Sequence, residues 1–161
     1  MKKLGKLTLK EMRDEMPIIP KSILEKIKGG DVTVTFDRSD SMIYIYADGI
    51  LLDSFPAANN VDSNSQGIWS NGTYSMYDQN SAYTHSDDSY ESSYGTHGIF
   101  RANSFIDENG CERTYMGLHS GRSDNYNHPT YGCIRTTDAA MSELLCYIGS
   151  YGSFTSITVR D

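Results

Sequence analysis

Beyond Lys28 the sequence contains no lysine. Residues 31–161 hold six arginines against seventeen Asp and Glu, a net of −11. So acidic a stretch offers no basic stripe for a phosphate backbone, which argues against nucleic acid as a partner. Tyrosine is missing from the other end, since none precedes Tyr44. Residues 1–30 carry eight Lys and Arg against four acidic residues, net +4, so the chain divides into a basic start and an acidic, tyrosine-rich remainder. No apolar run approaches the roughly 18 residues that a membrane span needs. No apolar segment follows Lys2-Lys3, so a signal peptide of the usual kind is absent. Three cysteines do not make a disulfide framework, although a Cys111–Cys146 bridge would be open to an exported chain. The length of 161 residues allows one domain.

The basic start ends in Gly29-Gly30, preceded by Met16, Ile19, Leu24 and Ile27. That spacing puts Leu24 and Ile27 on one helix face, and Pro17 and Pro20 divide the segment into two short helical pieces. The pattern resembles the double-glycine leaders of bacteriocin and peptide precursors. In that class a peptidase fused to an ABC exporter grips the apolar positions and cuts after the second glycine. The resemblance implies a leader at 1–30, a leader-processing peptidase/ABC exporter as partner, and a secreted, periplasmic or extracellular residues 31–161. An amphipathic helix ended by a glycine C-cap fits the same residues.

The acidic remainder reads as mainly β. Asp31 to Phe36 alternates and is β-branched, Met42 to Tyr46 is a second strand, and Asp48-Gly49 marks a tight hairpin into Ile50 to Phe55. Another strand is expected around Thr73 to Tyr77. Asp87, Asp88 and Glu91 sit among tyrosines in a stretch that reads as a solvated loop or a weak calcium site. Gly98 to Arg101 begins a strand, Glu108-Asn109-Gly110 turns it, and Arg113 to His119 runs back. Met141, Leu144, Leu145 and Ile148 recur at helical spacing, predicting an amphipathic helix over 137–149 with Cys146 beside its buried face as a small core residue. Phe154 to Val159 is the last strand.

The chemistry concentrates between His119 and Arg135. An apolar run, Tyr115-Met116-Gly117-Leu118, delivers His119 to a strand end, and Thr136-Thr137-Asp138 is a helix start just after Cys133. A loop rich in Gly, Asn and Ser joins them. Cysteine is a nucleophile as thiolate, and an imidazole is the commonest base to make one. Gly132 before Cys133 lets a carbonyl approach, so the N–H groups of Gly132 and Cys133 are candidates for an oxyanion site. A buried structural thiol and a zinc site from His119, His128 and Cys133 are the competing readings. His85 and His97 read as surface residues.

The pair His119-Ser120 followed by Thr130-Tyr131-Gly132-Cys133-Ile134-Arg135 resembles the catalytic signature of the L,D-transpeptidases, the YkuD-like family. Tyr131 stands where that family often has a second histidine, and the His-to-Cys loop is short. The resemblance implies an L,D-transpeptidase-like β-sandwich, a single domain with one or two helices, over residues 31–161. It implies Cys133 as nucleophile, His119 as base, a carbonyl near Ser120 holding the other ring nitrogen, and peptidoglycan stem peptides as substrate. Gly132 belongs to the catalytic turn, and Tyr115, Thr130, Tyr131 and Arg135 to the substrate side, with Arg135 either bracing the turn or meeting a carboxylate. No cofactor and no metal is implied. A non-catalytic wall-binding or antibacterial protein on a degenerate version of the fold is the rival. Papain-like peptidases carry Cys before His, the reverse of the order here.

Overall fold

The computed structural model describes residues 30–84 and 91–161. The expected leader, apart from Gly30, and the loop carboxylates Asp87 and Asp88 lie outside the described residues. β1 (Val32–Asp37), β2 (Met42–Ala47) and β3 (Ile50–Ala58) form an antiparallel meander. Val32, Val34, Phe36, Ile43 and Ile45 alternate along it and are all buried, so the period of two sends one face of each strand into the core. Asp48 and Gly49 make the β2–β3 turn with positive φ at both, 49° and 76°, the backbone of a type I′ turn.

β3 runs three residues beyond the expected Phe55. Pro56 hides this from a sequence reading, because proline cannot donate to a ladder. Here it stands where the strand changes partner. Before it β3 pairs with β2; after it Ala57 and Ala58 pair with β9 (Ile134–Thr136). The rest of the chain supplies β4 (Gly72–Ser75), the one-turn helix α1 (Glu91–Tyr94), β5 (Ile99–Arg101), the small hairpin of β6 (Phe105–Ile106) and β7 (Glu112–Arg113), β8 (Gly117–His119), helix α2 (Asp138–Tyr151) and β10 (Phe154–Arg160). The main sheet has eight strands in the order β4-β10-β1-β2-β3-β9-β8-β5. The sandwich is therefore one curled sheet whose halves share β3. Phe100 on β5 meets Phe154 on β10 edge-on across the interior, with ring centres 5.4 Å apart.

Two expectations need correction. Arg113 to His119 is not one strand. Tyr115 takes a left-handed φ of 58°, and pairing changes there: β7 bonds to β6, whereas β8 bonds to β5 and, in parallel, to β9. Cys146 is exposed on α2 rather than part of the core, and Cys111 and Cys146 are both free thiols. The helix itself follows its spacing. Thr137 caps it, accepting from the Ala140 N–H at 3.2 Å, and Met141, Leu144 and Ile148 are buried.

Candidate active site

β8 and β9 lie side by side and parallel, with His119 opposite Arg135 and Leu118 opposite Ile134. Alternation puts Leu118 and Ile134 on the core side and leaves His119 and Arg135 on the other. Cys133 immediately precedes β9, so the fold brings the imidazole and the thiol to neighbouring strands.

His119 is buried, and its Nδ1 lies 2.7 Å from the carbonyl oxygen of Ser120. That oxygen has no proton to give, so Nδ1 carries the hydrogen in the neutral ring and Nε2 keeps its lone pair. Tyr94 of α1 packs edge-on against the imidazole at 5.1 Å. Burial, reinforced by the Arg135 charge, pushes the His119 pKa down to about 3. Burial pushes the Cys133 thiol up to about 11, although the Gly117 N–H and Arg135 pull it the other way. Both shifts favour the uncharged forms, thiol and neutral imidazole. The Cys133 sulfur lies 3.8 Å from the Tyr115 carbonyl.

The turn before Cys133 is held from several sides. Gly132 has a φ of 135°. A β-carbon there would sit 2.8 Å from the Met116 sulfur and 3.1 Å from the Gly67 carbonyl, on a φ that L side chains rarely adopt, so glycine is favoured. The Gly132 N–H donates to Thr130 Oγ1 at 3.2 Å. This corrects the expected pair of oxyanion donors, because one of the two is already engaged inside the turn. Thr130 is buried, and its hydroxyl also donates to the Cys133 carbonyl at 2.7 Å. Asn59, just past β3, donates through its side-chain nitrogen to the carbonyls of Gly132 at 2.8 Å and Cys133 at 2.9 Å.

Arg135 is 3% exposed. Its guanidinium donates to three main-chain carbonyls: Ser120 at 2.7 Å, Ser93 at 3.0 Å and His128 at 3.1 Å. It therefore ties together both ends of the His-to-Cys loop and α1. Gly121, Arg122, Ser123 and Asp124 all have positive φ, a strained left-handed run that begins right after Ser120. Asp124 anchors its far end by accepting from the Asp138 N–H at 2.6 Å. Asp138 in turn accepts from the Ser120 hydroxyl. The His128 ring turns to the Pro129 carbonyl at 3.1 Å in its own loop. Among the described residues no three His, Cys, Asp or Glu side chains gather as a metal site, so His119, His128 and Cys133 do not form one.

Of the four residues expected on the substrate side, Thr130 and Arg135 face inward as braces. Tyr115 and Tyr131 present side chains 77% and 65% exposed. Tyr115 also borders a cavity of about 490 Å³ lined by Tyr77, Arg101, Asn103, Ser104 and Thr114. Sequence reading missed Asn59, Asp124, Asp138 and the Ser93 carbonyl. Asn59 carries no local signal, since the Gly132 and Cys133 carbonyls it holds lie more than seventy residues away. Asp124 lies inside the recognised stretch without a distinguishing signal, and Asp138 was legible only as a helix start.

No family model matches the chain, and no curated protein matches it. Solved structures do. A Bdellovibrio bacteriovorus protein, Bd1075, superposes with a TM-score of 0.59 over 86% of this chain and 52% of its own, at 13% identity. An L,D-transpeptidase from Mycobacterium smegmatis gives 0.51 at 16% identity, covering 83% of this chain and 60% of that one. A mutant of the Enterococcus faecium L,D-transpeptidase gives 0.52 at 13% identity, covering 82% and 50%. The chain spans half to three-fifths of the length of these structures. The mostly β, single-domain architecture of this chain is the L,D-transpeptidase-like fold.

Proposed function

We propose that the chain is a cysteine acyltransferase acting on peptidoglycan stem peptides. The observation that carries this reading is the placement of His119 at the end of β8 and of Cys133 immediately before β9, its parallel neighbour, in an L,D-transpeptidase-like fold, with Nδ1 of His119 tied to the Ser120 carbonyl. By likeness to the family, the donor is a tetrapeptide stem with a diamino acid at the third position and D-alanine at the fourth. The Cys133 thiol gives its proton to His119 Nε2 as the sulfur bonds to the carbonyl carbon of the L,D junction. The C–N bond then breaks, and the imidazolium returns the proton to the amine of the departing D-alanine. The thioester is resolved by the side-chain amine of a second stem, which is transpeptidation, or by water, which is L,D-carboxypeptidase hydrolysis. The cavity beside Tyr115 is large enough for part of a stem peptide. Action would follow removal of residues 1–30 by an exporter-linked peptidase and secretion into the periplasm or cell wall.

The rival is a non-catalytic wall-binding or antibacterial protein, and the raised Cys133 pKa is the observation on its side. Mass spectrometry of tetrapeptide muropeptides incubated with the protein separates them. The enzyme releases D-alanine, forming tripeptide or cross-linked product, and passes through an adduct on Cys133. Cys133→Ala abolishes this, whereas Cys111→Ser and Cys146→Ala keep it. Turnover retained in Cys133→Ala, or none in the native chain, overturns the proposal.

A further inference from the structure

Asn59 is buried and has every polar atom of its carboxamide assigned. The nitrogen donates to the Gly132 and Cys133 carbonyls at 2.8 and 2.9 Å, and the oxygen accepts from the Trp69 N–H at 2.8 Å. Flipping the amide would set its oxygen against two carbonyl oxygens and its nitrogen against an N–H, so one orientation alone satisfies all three. The grip acts on a peptide plane. In a trans peptide the C=O and the following N–H point in opposite directions. Holding the Gly132 carbonyl therefore turns the Cys133 N–H away from the buried carboxamide. The neighbouring donor, the Gly132 N–H, is engaged by Thr130 Oγ1. Within this turn the Cys133 N–H is thus the donor whose direction matters. Attack by the sulfur on a carbonyl moves the π pair onto oxygen, and that developing charge needs a fixed N–H.

We infer that Asn59 is a positioning residue that aims the Cys133 N–H at the oxyanion formed during acyl transfer. The inference rests on the acyltransferase reading above. Its sequence position, in the strand-end segment Ala57-Ala58-Asn59 far from the His119–Arg135 stretch, gives no hint of the role. Trp69, the one tryptophan of the sequence, completes the arrangement. Its ring packs with Tyr74 and Phe105 at 4.8 and 5.4 Å, so the main-chain donor that fixes the Asn59 oxygen is anchored in the core.

The test compares two reactions of one thiol. Acylation by a tetrapeptide muropeptide passes through an oxyanion; alkylation by iodoacetamide displaces iodide and does not. Asn59→Leu keeps roughly the shape, removes both donors and adds no charge beside the thiol. It is expected to slow single-turnover acylation by about 10², with KM little changed, while the alkylation rate and its pH profile stay those of the native protein. Asn59→Ser, which keeps one hydroxyl donor, is the second variant should the leucine prevent folding, and its loss is expected to be smaller. Trp69 fluorescence reports whether either variant is folded. Acylation and alkylation falling together, or neither changing, overturns the inference. A native protein that never acylates overturns the acyltransferase reading instead, and this role with it.

Discussion

His119 donates from Nδ1 to the carbonyl of its own neighbour, Ser120, at 2.7 Å. The Arg135 guanidinium donates to the same oxygen, also at 2.7 Å. One carbonyl thus fixes the tautomer of His119 and joins it to the arginine that braces the loop before Cys133. That arrangement, with the burial around it, sets several measurable properties.

Stability should depend on pH through His119. The free imidazole titrates near 6.5, whereas the folded one is pushed down to about 3. Between those values the unfolded chain binds a proton that the folded chain refuses. The contribution is therefore complete above about pH 6.5 and is lost as pH falls below it, by at most about 1.4 kcal/mol per pH unit. Urea midpoints followed by Trp69 fluorescence should fall between about pH 7 and about pH 5, and less steeply in His119→Gln. An identical slope in the variant would show that His119 is not the buried neutral group. His128→Ala should cost far less acyl-enzyme than His119→Ala, because the His128 ring bonds only within its own loop.

Arg135→Lys should be disruptive despite keeping the charge. A lysine ammonium cannot fork to the carbonyls of Ser93, Ser120 and His128, which come from three separate segments. Each buried carbonyl left without a donor costs about 1–3 kcal/mol. Denaturant unfolding should show a loss of at least about 2 kcal/mol, and the iodoacetamide reaction of Cys133 should change with it. A variant of native stability would mean that Arg135 braces nothing.

Gly132→Ala combines two faults, a φ of 135° and a β-carbon 2.8 Å from the Met116 sulfur. Strain of this kind costs about 1–3 kcal/mol, and the turn that presents Cys133 must shift. Acyl-enzyme formation should be lost. Adding Met116→Ala removes the sulfur contact but leaves the dihedral, the Gly67 carbonyl 3.1 Å away and a new cavity in the core, so neither stability nor acylation should recover. Full recovery of both would mean that contact alone makes the glycine necessary.

Processing is expected between Gly30 and Asp31. The Asp31 N–H already donates to Asp48 Oδ1 at 3.2 Å, so a cut there would place the new α-ammonium beside a carboxylate. N-terminal sequencing of the exported form should begin at Asp31, and a form beginning at Met1 would end the leader reading. Gly29→Val should block cutting. Asp48→Asn should destabilise the cut form more than the uncut chain.

Much of this protein is local and was therefore legible in residue order. Val32 to Phe36 and Met42 to Tyr46 alternate because a half-buried strand has a period of two. Asp48-Gly49 tolerates positive φ, and Met141, Leu144 and Ile148 follow the helical period, so these elements were read within a few residues. The stretch from His119 to Arg135 could be singled out because a base, a glycine and a thiol sit there in order. What the order could not convey was direction and depth. Thr130 and Arg135 look like substrate contacts in a motif, yet both turn inward, Thr130 to the Cys133 carbonyl of its own turn and Arg135 to carbonyls of three other segments. Tyr115 looks like part of a strand, yet its left-handed backbone ends one ladder and starts another. Asn59 was invisible, because a carboxamide has no periodicity and its value comes from carbonyls 73 and 74 residues away. Propensity and patterning act over one or two turns of chain. The direction of the Cys133 N–H and the pKa of a buried imidazole depend on groups that only the closed sheet brings together.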